Sequence, residues 1–326
     1  MLDCDSYPTF LGVGAARSGT TSIYYWLKQH PGIYVSPVKE PNYFSDLYPK
    51  FCGPGDEQNL NRPLEKNSEG KYIQRHAAIV TSLEQYCELF SGAEGFSIRG
   101  EISPSYLYYP TAAVRIKQLL PQSKIVIFLR DPIERAFSQF KLFVMVARET
   151  KEFDEAIRLE ESRIEDGWEY AWSYRGLGLY AQQVKSFLDF FPHEHVGVWL
   201  YEDLRQSPAK VYIQVCDFLG ADGSFTPDFS HHNPSQNKVT KLQWFYNRYS
   251  HIISKFTMLI PVSLRSGLVL WGERVLGEKQ LMLKDHTRCE LLEYYRSDIL
   301  ELDQLMPQLG VIRWIEHQER KLTHAI

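Results

Sequence analysis

Between Gly14 and Thr21 the chain reads G-A-A-R-S-G-T-T, which fits the phosphate-loop spacing G-x-x-x-x-G-K-[ST] except that Thr20 stands where the lysine belongs. Glycines at this spacing let the backbone bend until several N–H groups aim at one anion, and a helix starting near Thr20 adds its positive end. Arg17, two residues before Gly19, can supply the missing cation. A strand-to-helix turn without ligand competes with this reading. A dinucleotide fingerprint fails at its third glycine, because Gly12-Val13-Gly14-Ala15-Ala16 runs into Arg17. A second basic position follows the apolar run Ile125 to Leu129. A nucleoside triphosphatase places an aspartate directly after such a strand to hold Mg²⁺, yet here Arg130 comes first and Asp131 second. Ligands of open parallel sheets gather at the carboxyl ends of strands, so Arg17 and Arg130 are expected to face one crevice. Ser138, about two helical turns beyond Arg130, offers a hydroxyl donor. The plain alternative for Arg130 is a surface ion pair with Asp131 or Glu134.

These residues need elements to hold them. Thr9 to Val13 reads as a strand and SIYYWLKQH as a helix, so the glycine loop joins strand to helix. Ile33 to Val35 is a brief strand, and SPVKEPNYF an ordered turn with Lys39 and Glu40 between prolines. Residues 45–80, rich in Gly, Pro, Asn and charge between Phe51 and Gly70, are expected to form a mobile flap over the substrate. Helices are predicted over Leu83–Phe90, Ala112–Leu120, from Pro132 onward, Phe153–Ile164, Leu179–Phe190 and Asp203–Leu219, and strands over FSIRGE, KIVIFLR and HVGVWLY. This alternation predicts an α/β fold, a central parallel sheet flanked by helices. Beyond Gly220, helical segments around 240–258, 263–276 and 286–304 give a helical C-terminal part over 221–326. The whole, 1–326, reads as a single domain whose nucleotide-binding core spans about 8–220.

Composition narrows the possible partners. With 36 Lys+Arg against 40 Asp+Glu the net charge is −4, which argues against a nucleic-acid partner. A hydrophobic share of 44% and an aromatic share of 14% exclude global disorder. The five cysteines are scattered, without a C-x-x-C pair, so a reducing compartment and no structural metal are expected. No signal peptide is visible at the N-terminus, and the apolar stretch near Ile252 to Leu270 is cut by Lys255, Pro261 and Arg265, short of the roughly 20 residues a membrane span needs. The expected location is cytoplasmic.

GAARSGTTS resembles the 5′-phosphosulfate loop, and IVIFLRDPIERAFSQF the 3′-phosphate motif, of sulfotransferases that use 3′-phosphoadenosine 5′-phosphosulfate (PAPS). With RGLGLYAQQVKSFLDFF and VGVWLYEDL the resemblance covers about residues 8–220, and it is strongest to glycan-type Golgi enzymes and to soluble bacterial or polyketide-synthase-associated ones. It implies a P-loop-like α/β fold and transfer of a sulfuryl group from PAPS to an acceptor hydroxyl or amine, releasing 3′,5′-ADP. It assigns Arg17, Ser18, Gly19, Thr20, Thr21 and Ser22 to the 5′-phosphosulfate, and Arg130 and Ser138 to the 3′-phosphate. Arg175 and Gly176 match a further motif near the nucleotide, and Lys238 is a candidate phosphate contact. Two departures stand out: Arg17 replaces the loop lysine, and Ile102 stands in GEISPSYLYY where a lysine often follows the glutamate.

A sulfuryl group carries less negative charge than a terminal phosphoryl group, so loop cation and backbone donors can assist its transfer without Mg²⁺. The acceptor hydroxyl still needs a base within about 3 Å. Glu40 matches the position of the proposed base in glycan enzymes, with Lys39 beside it to stabilise the moving group; a solvated ion pair is the alternative. Glu101 is a second candidate base or an orienting residue, unless it merely pairs with Arg99. His231 and His232 offer an imidazole, although loop histidines are commonly solvated. The acceptor is expected to be a small-molecule, lipid, glycan or carrier-bound acyl alcohol, framed by residues 45–80 and by Trp244, Phe245, Tyr246 and Tyr249. Two other classes compete: a P-loop nucleotide kinase or triphosphatase, and a nucleotide-binding domain without catalysis.

Overall fold

A computed structural model describes residues 7–46, 63–230, 238–240 and 278–323, with 238–240 and 278–280 described by their backbone alone. The elements run β1 (Phe10–Gly14), α1 (Thr20–Gln29), β2 (Ile33–Val35), β3 (Val38–Lys39), β4 (Arg75–His76), α2 (Leu83–Glu88) and β5 (Ile98–Ile102). There follow α3 (Ser105–Tyr108), α4 (Pro110–Leu119), β6 (Lys124–Leu129), α5 (Pro132–Met145), α6 (Phe153–Arg158), α7 (Glu160–Glu165) and α8 (Tyr180–Phe190). The described chain closes with β7 (Val196–Leu200), α9 (Tyr201–Gln206), α10 (Pro208–Leu219), β8 (Lys238–Thr240), β9 (Glu278–Gln280), α11 (Asp285–Leu305) and α12 (Ile312–Thr323).

Five strands form one parallel sheet in the order β2-β5-β1-β6-β7. Side-chain alternation sends Ile125, Ile127 and Leu129 of β6 to one face and Val126 and Phe128 to the other. The first face is covered by α4, α5, α8 and α11, the second by Trp26 and Leu27 of α1 and Val211, Tyr212 and Val215 of α10. A sheet covered on both faces has no polar side, which is why KIVIFL reads as one apolar run. The expected α/β architecture is therefore present.

Several boundaries differ from expectation. The helix predicted over Phe153–Ile164 is two short ones meeting at Leu159. The helix predicted over Asp203–Leu219 starts at Tyr201 and breaks at Ser207, because Pro208 disfavours helical geometry in the residue before it. The turn around Lys39 contains a short strand, β3, paired in parallel with β4. Residues 75–80, at the end of the expected flap, are stitched to 37–41: Arg75, Ala77, Ala78 and Val80 donate their N–H groups to the carbonyls of Pro37, Lys39, Glu40 and Pro41. In the C-terminal part α11 matches the predicted segment 286–304, while β8 and β9 pair as antiparallel strands and α12 has no counterpart in the prediction. The segments 240–258 and 263–276, with Trp244, Phe245, Tyr246 and Tyr249, lie outside the described residues.

Candidate active site

Arg17 follows β1, Arg130 follows β6, and the Glu40 N–H donates to the carbonyl of Ile102, the last residue of β5. Since β5, β1 and β6 are neighbours, the three side chains belong to the carboxyl ends of adjacent strands. The loop after β1 is tightly bent. Arg17 has φ 69° and Gly19 φ 88°, and the Ala15 N–H donates to the Phe128 carbonyl at 2.5 Å. Gly14 is needed for close packing, since a Cβ there would lie 2.5 Å from Leu107. The loop ends on α1, whose start has no side-chain cap and no acidic residue in its first turn. Ser18 is fully buried and its hydroxyl has no partner among the described residues. Leaving such a group unpaired costs about 1–3 kcal/mol, so an acceptor brought by a ligand would be welcome there.

The cations meet as the strand ends require. Arg17 Nε donates to Ser138 Oγ at 3.2 Å, and Arg130 Nη1 donates to the Arg17 carbonyl at 3.1 Å. The Arg130 guanidinium lies 4.6 Å from the centre of the Tyr201 ring, and the Tyr180 hydroxyl donates to its carbonyl at 2.9 Å. Neither Asp131 nor Glu134 pairs with it. Asp131 caps α5 and accepts from Gln318, while Glu134 accepts from Arg288 and Lys321. Burial and the charge of Arg130 lower the pKa of Arg17, and burial with the same neighbour lowers that of Lys141, one turn past Ser138 on α5. Like charges held this close form a site that favours an anion.

Lys39 is 2% exposed and its ammonium contacts Glu40 Oε1. Burial pushes the Glu40 carboxyl up, but Lys39, His76 and Arg17 outweigh it and hold Glu40 below the ordinary carboxylate range. The backbone of Glu40 has φ 63°, fixed by two bonds to its carbonyl, from the Ala78 N–H and from Asn42 Nδ2. Asn42 is anchored in turn, its N–H donating to Ser103 Oγ, which donates to Glu101.

Glu101 does not pair with Arg99, whose guanidinium donates to the carbonyls of Tyr7 and Phe96. It is fully buried, accepting from Ser103 at 2.8 Å, Tyr106 at 2.7 Å and Tyr86 at 3.3 Å. Burial pushes its pKa up to about 7 against those three bonds. Arg175 and Gly176 are not drawn to the Arg17 cluster by their contacts. The Arg175 guanidinium reaches Glu160, Glu161 and the Tyr294 ring, and the Gly176 N–H donates to Glu160. Thr20 is buried at the start of α1, with Thr21 and Ser22 half-buried beside it. His231 and His232 lie outside the described residues, as does the side chain of Lys238. Two residues at the site escaped the sequence reading, Tyr201 and His76. Tyr201 had a signal, since it follows the β7 strand at the same sheet edge; His76, in a polar stretch, had none.

A profile of the sulfotransferase family matches residues 8–227. The chain belongs to the sulfotransferase family. The crystal structure of a sulfotransferase from Alicyclobacillus acidocaldarius is similar to this member, with 33% identity and a TM-score of 0.69 over 92% of this chain and 96% of that one. Human bifunctional heparan sulfate N-deacetylase/N-sulfotransferase 3 is 23% identical over 98% of this chain, and mouse heparan sulfate glucosamine 3-O-sulfotransferase 6 is 26% identical over 66%. This sulfotransferase chain spans 32% of the length of the first and 52% of the second. Among its described residues no helix is long and apolar enough to cross a membrane.

Proposed function

We propose that the chain transfers a sulfuryl group from PAPS to the hydroxyl of an acceptor, with Glu40 as general base and 3′,5′-ADP as the nucleotide product. The observation that carries this reading is the placement of Arg17, Arg130 and Glu40 at the ends of three adjacent strands. When bound, PAPS supplies an activated sulfuryl group on a phosphate oxygen. The bent loop, the uncapped start of α1 with Thr20, Thr21 and Ser22, and the unpartnered Ser18 hydroxyl fit its 5′ end. Arg130 and Ser138 fit the 3′-phosphate, and Arg17, bonded to Ser138, adds a cation close to both. Arg175 and Gly176 act from behind in this reading, and Glu101 orients Glu40 through Ser103 and Asn42 rather than touching the acceptor.

Glu40 is ionised at neutral pH, since Lys39, His76 and Arg17 lower its pKa, and an ionised carboxylate can take the acceptor's proton as the new bond forms. Lys39, held in place by its ion pair with Glu40, offsets negative charge developing on the departing oxygen. The acceptor is proposed only as an alcohol, carried by a small molecule, lipid, glycan or carrier-bound acyl chain. The net charge of −4 disfavours a large polyanionic glycan. Free thiols at Cys87, Cys216 and Cys289 support a reducing, cytoplasmic setting.

Mass spectrometry of extracts incubated with heavy-sulfur PAPS tests the reading. One class of alcohol should gain the label, and Glu40→Gln should slow its labelling by about 10²-fold or more with 3′,5′-ADP affinity nearly intact. A near-normal rate in Glu40→Gln removes Glu40 from the role. ATP turnover that a chelator abolishes, with no response to PAPS, would favour a kinase or triphosphatase.

A further inference from the structure

His76 lies outside every motif above, yet the fold sets it against Glu40. In the β3–β4 pair His76 stands opposite Lys39, and the N–H groups of Ala77 and Ala78 donate to the carbonyls of Lys39 and Glu40 at 2.7 and 2.9 Å. The imidazole Nε2 is 3.7 Å from Glu40 Oε1, the oxygen that Lys39 also contacts. Exposure rises outward across this group: Lys39 2%, Glu40 17%, His76 59%.

A sheltered carboxylate that takes a proton in each turnover must lose it before the next. Among the described residues, the titratable and charged groups facing Glu40 are Lys39 on its own segment, His76 on β4, Arg17 on the loop after β1, Glu101 on β5, and Tyr170 on the turn after α7. Lys39 and Arg17 are cations with no free acceptor, Glu101 is enclosed by three hydroxyls, and burial raises the Tyr170 phenol well above its usual range. His76 alone among them combines a lone pair with open exposure.

We propose that His76 is a proton-relay residue for Glu40, accepting on Nε2 the proton that Glu40 takes from the acceptor and releasing it to water. The proposal rests on Glu40 being the base. The steps balance. The acceptor O–H bond breaks as its oxygen bonds to sulfur, and the old sulfur–oxygen bond breaks with its electron pair leaving on the 5′-phosphate of 3′,5′-ADP. The proton passes to Glu40, then to Nε2, and the imidazolium gives it to solvent, restoring carboxylate and neutral imidazole. A movement of about 0.7 Å brings Nε2 to hydrogen-bond length from Oε1. An exposed imidazole ordinarily titrates below neutrality, so the His76 ring is mostly neutral at pH 7 and releases the proton to water.

Ring-labelled NMR of the full chain tests the contact, comparing wild type with Glu40→Gln. The His76 pKa should fall by about half a unit or more once the carboxylate is gone. An unmoved titration overturns the relay and leaves the role of Glu40 untouched. A kinetic arm uses PAPS with water as acceptor, measuring sulfate release. His76→Ala should lower kcat about tenfold with 3′,5′-ADP affinity unchanged, and added imidazole should restore most of it. A His76→Ala enzyme as fast as wild type, or slow and indifferent to imidazole, overturns the relay. Glu40→Gln at the wild-type rate would instead sink the base reading beneath it.

Discussion

At position 19 a Cβ would come within 2.5 Å of Leu204 and 3.1 Å of Tyr201, on a backbone whose φ of 88° L-residues other than glycine rarely adopt. Gly19→Ala therefore pushes the loop away from α9 as well as straining it. We expect a loss of at least about 1 kcal/mol of stability in chemical denaturation, together with weaker 3′,5′-ADP binding in calorimetry. Stability and affinity equal to wild type would show that the loop is not held in this shape. The bent loop and the convergence of both arginines were legible from residue type and spacing alone, because a glycine loop between strand and helix is a local motif. The surroundings were less so. The Asp131 and Glu134 offered as partners of Arg130 are spent on α12 and α11, and the Arg99 offered to Glu101 binds backbone carbonyls. Such pairings depend on which strands end side by side, which spacing does not encode.

Among the elements, α12 shows what sequence periodicity loses. Val311, Trp314 and Ile315 are buried, but the next position of the stripe is Gln318, 1% exposed and bonded to Asp131. A polar residue used in the interior interrupts the apolar pattern that would have announced the helix. α12 also joins the sheet edge through Trp314, whose indole N–H donates to Glu202, which accepts from the Asp131 N–H at 3.1 Å. Strand β5 carries a titration consequence. Burial holds Glu101 at about 7 in the folded chain, above the roughly 4.3 of an unfolded glutamate. The folded state thus keeps this proton to higher pH than the unfolded one, and stability declines as pH rises from about 4 to about 7, then levels off. Asp131, pushed to about 7 by burial and Glu134, acts in the same direction. Glu101→Gln should narrow the gap between the melting temperatures at pH 5 and pH 7.5, measured by scanning calorimetry. An unchanged gap would mean that Glu101 does not titrate in this window.

For the molecule as a whole, the alternation of strands and helices was readable because each element carries its own period. The order β2-β5-β1-β6-β7 was not, since it is set by crossovers between distant segments. That order makes the site. It puts β1 between β5 and β6, so a carboxylate above one neighbour and a guanidinium above the other flank the glycine loop. A nucleotide with phosphates at both ends suits such a row, whereas a nucleotide lacking the 3′-phosphate leaves Arg130 and Ser138 unanswered. Titration calorimetry with 3′,5′-ADP and with 5′-AMP, on wild type and Arg130→Ala, tests this most directly. The account predicts that wild type binds 3′,5′-ADP at least about tenfold more tightly, the worth of one charge-assisted contact, and that Arg130→Ala erases most of the difference. Equal affinities in wild type, or a preference that survives Arg130→Ala intact, would contradict it.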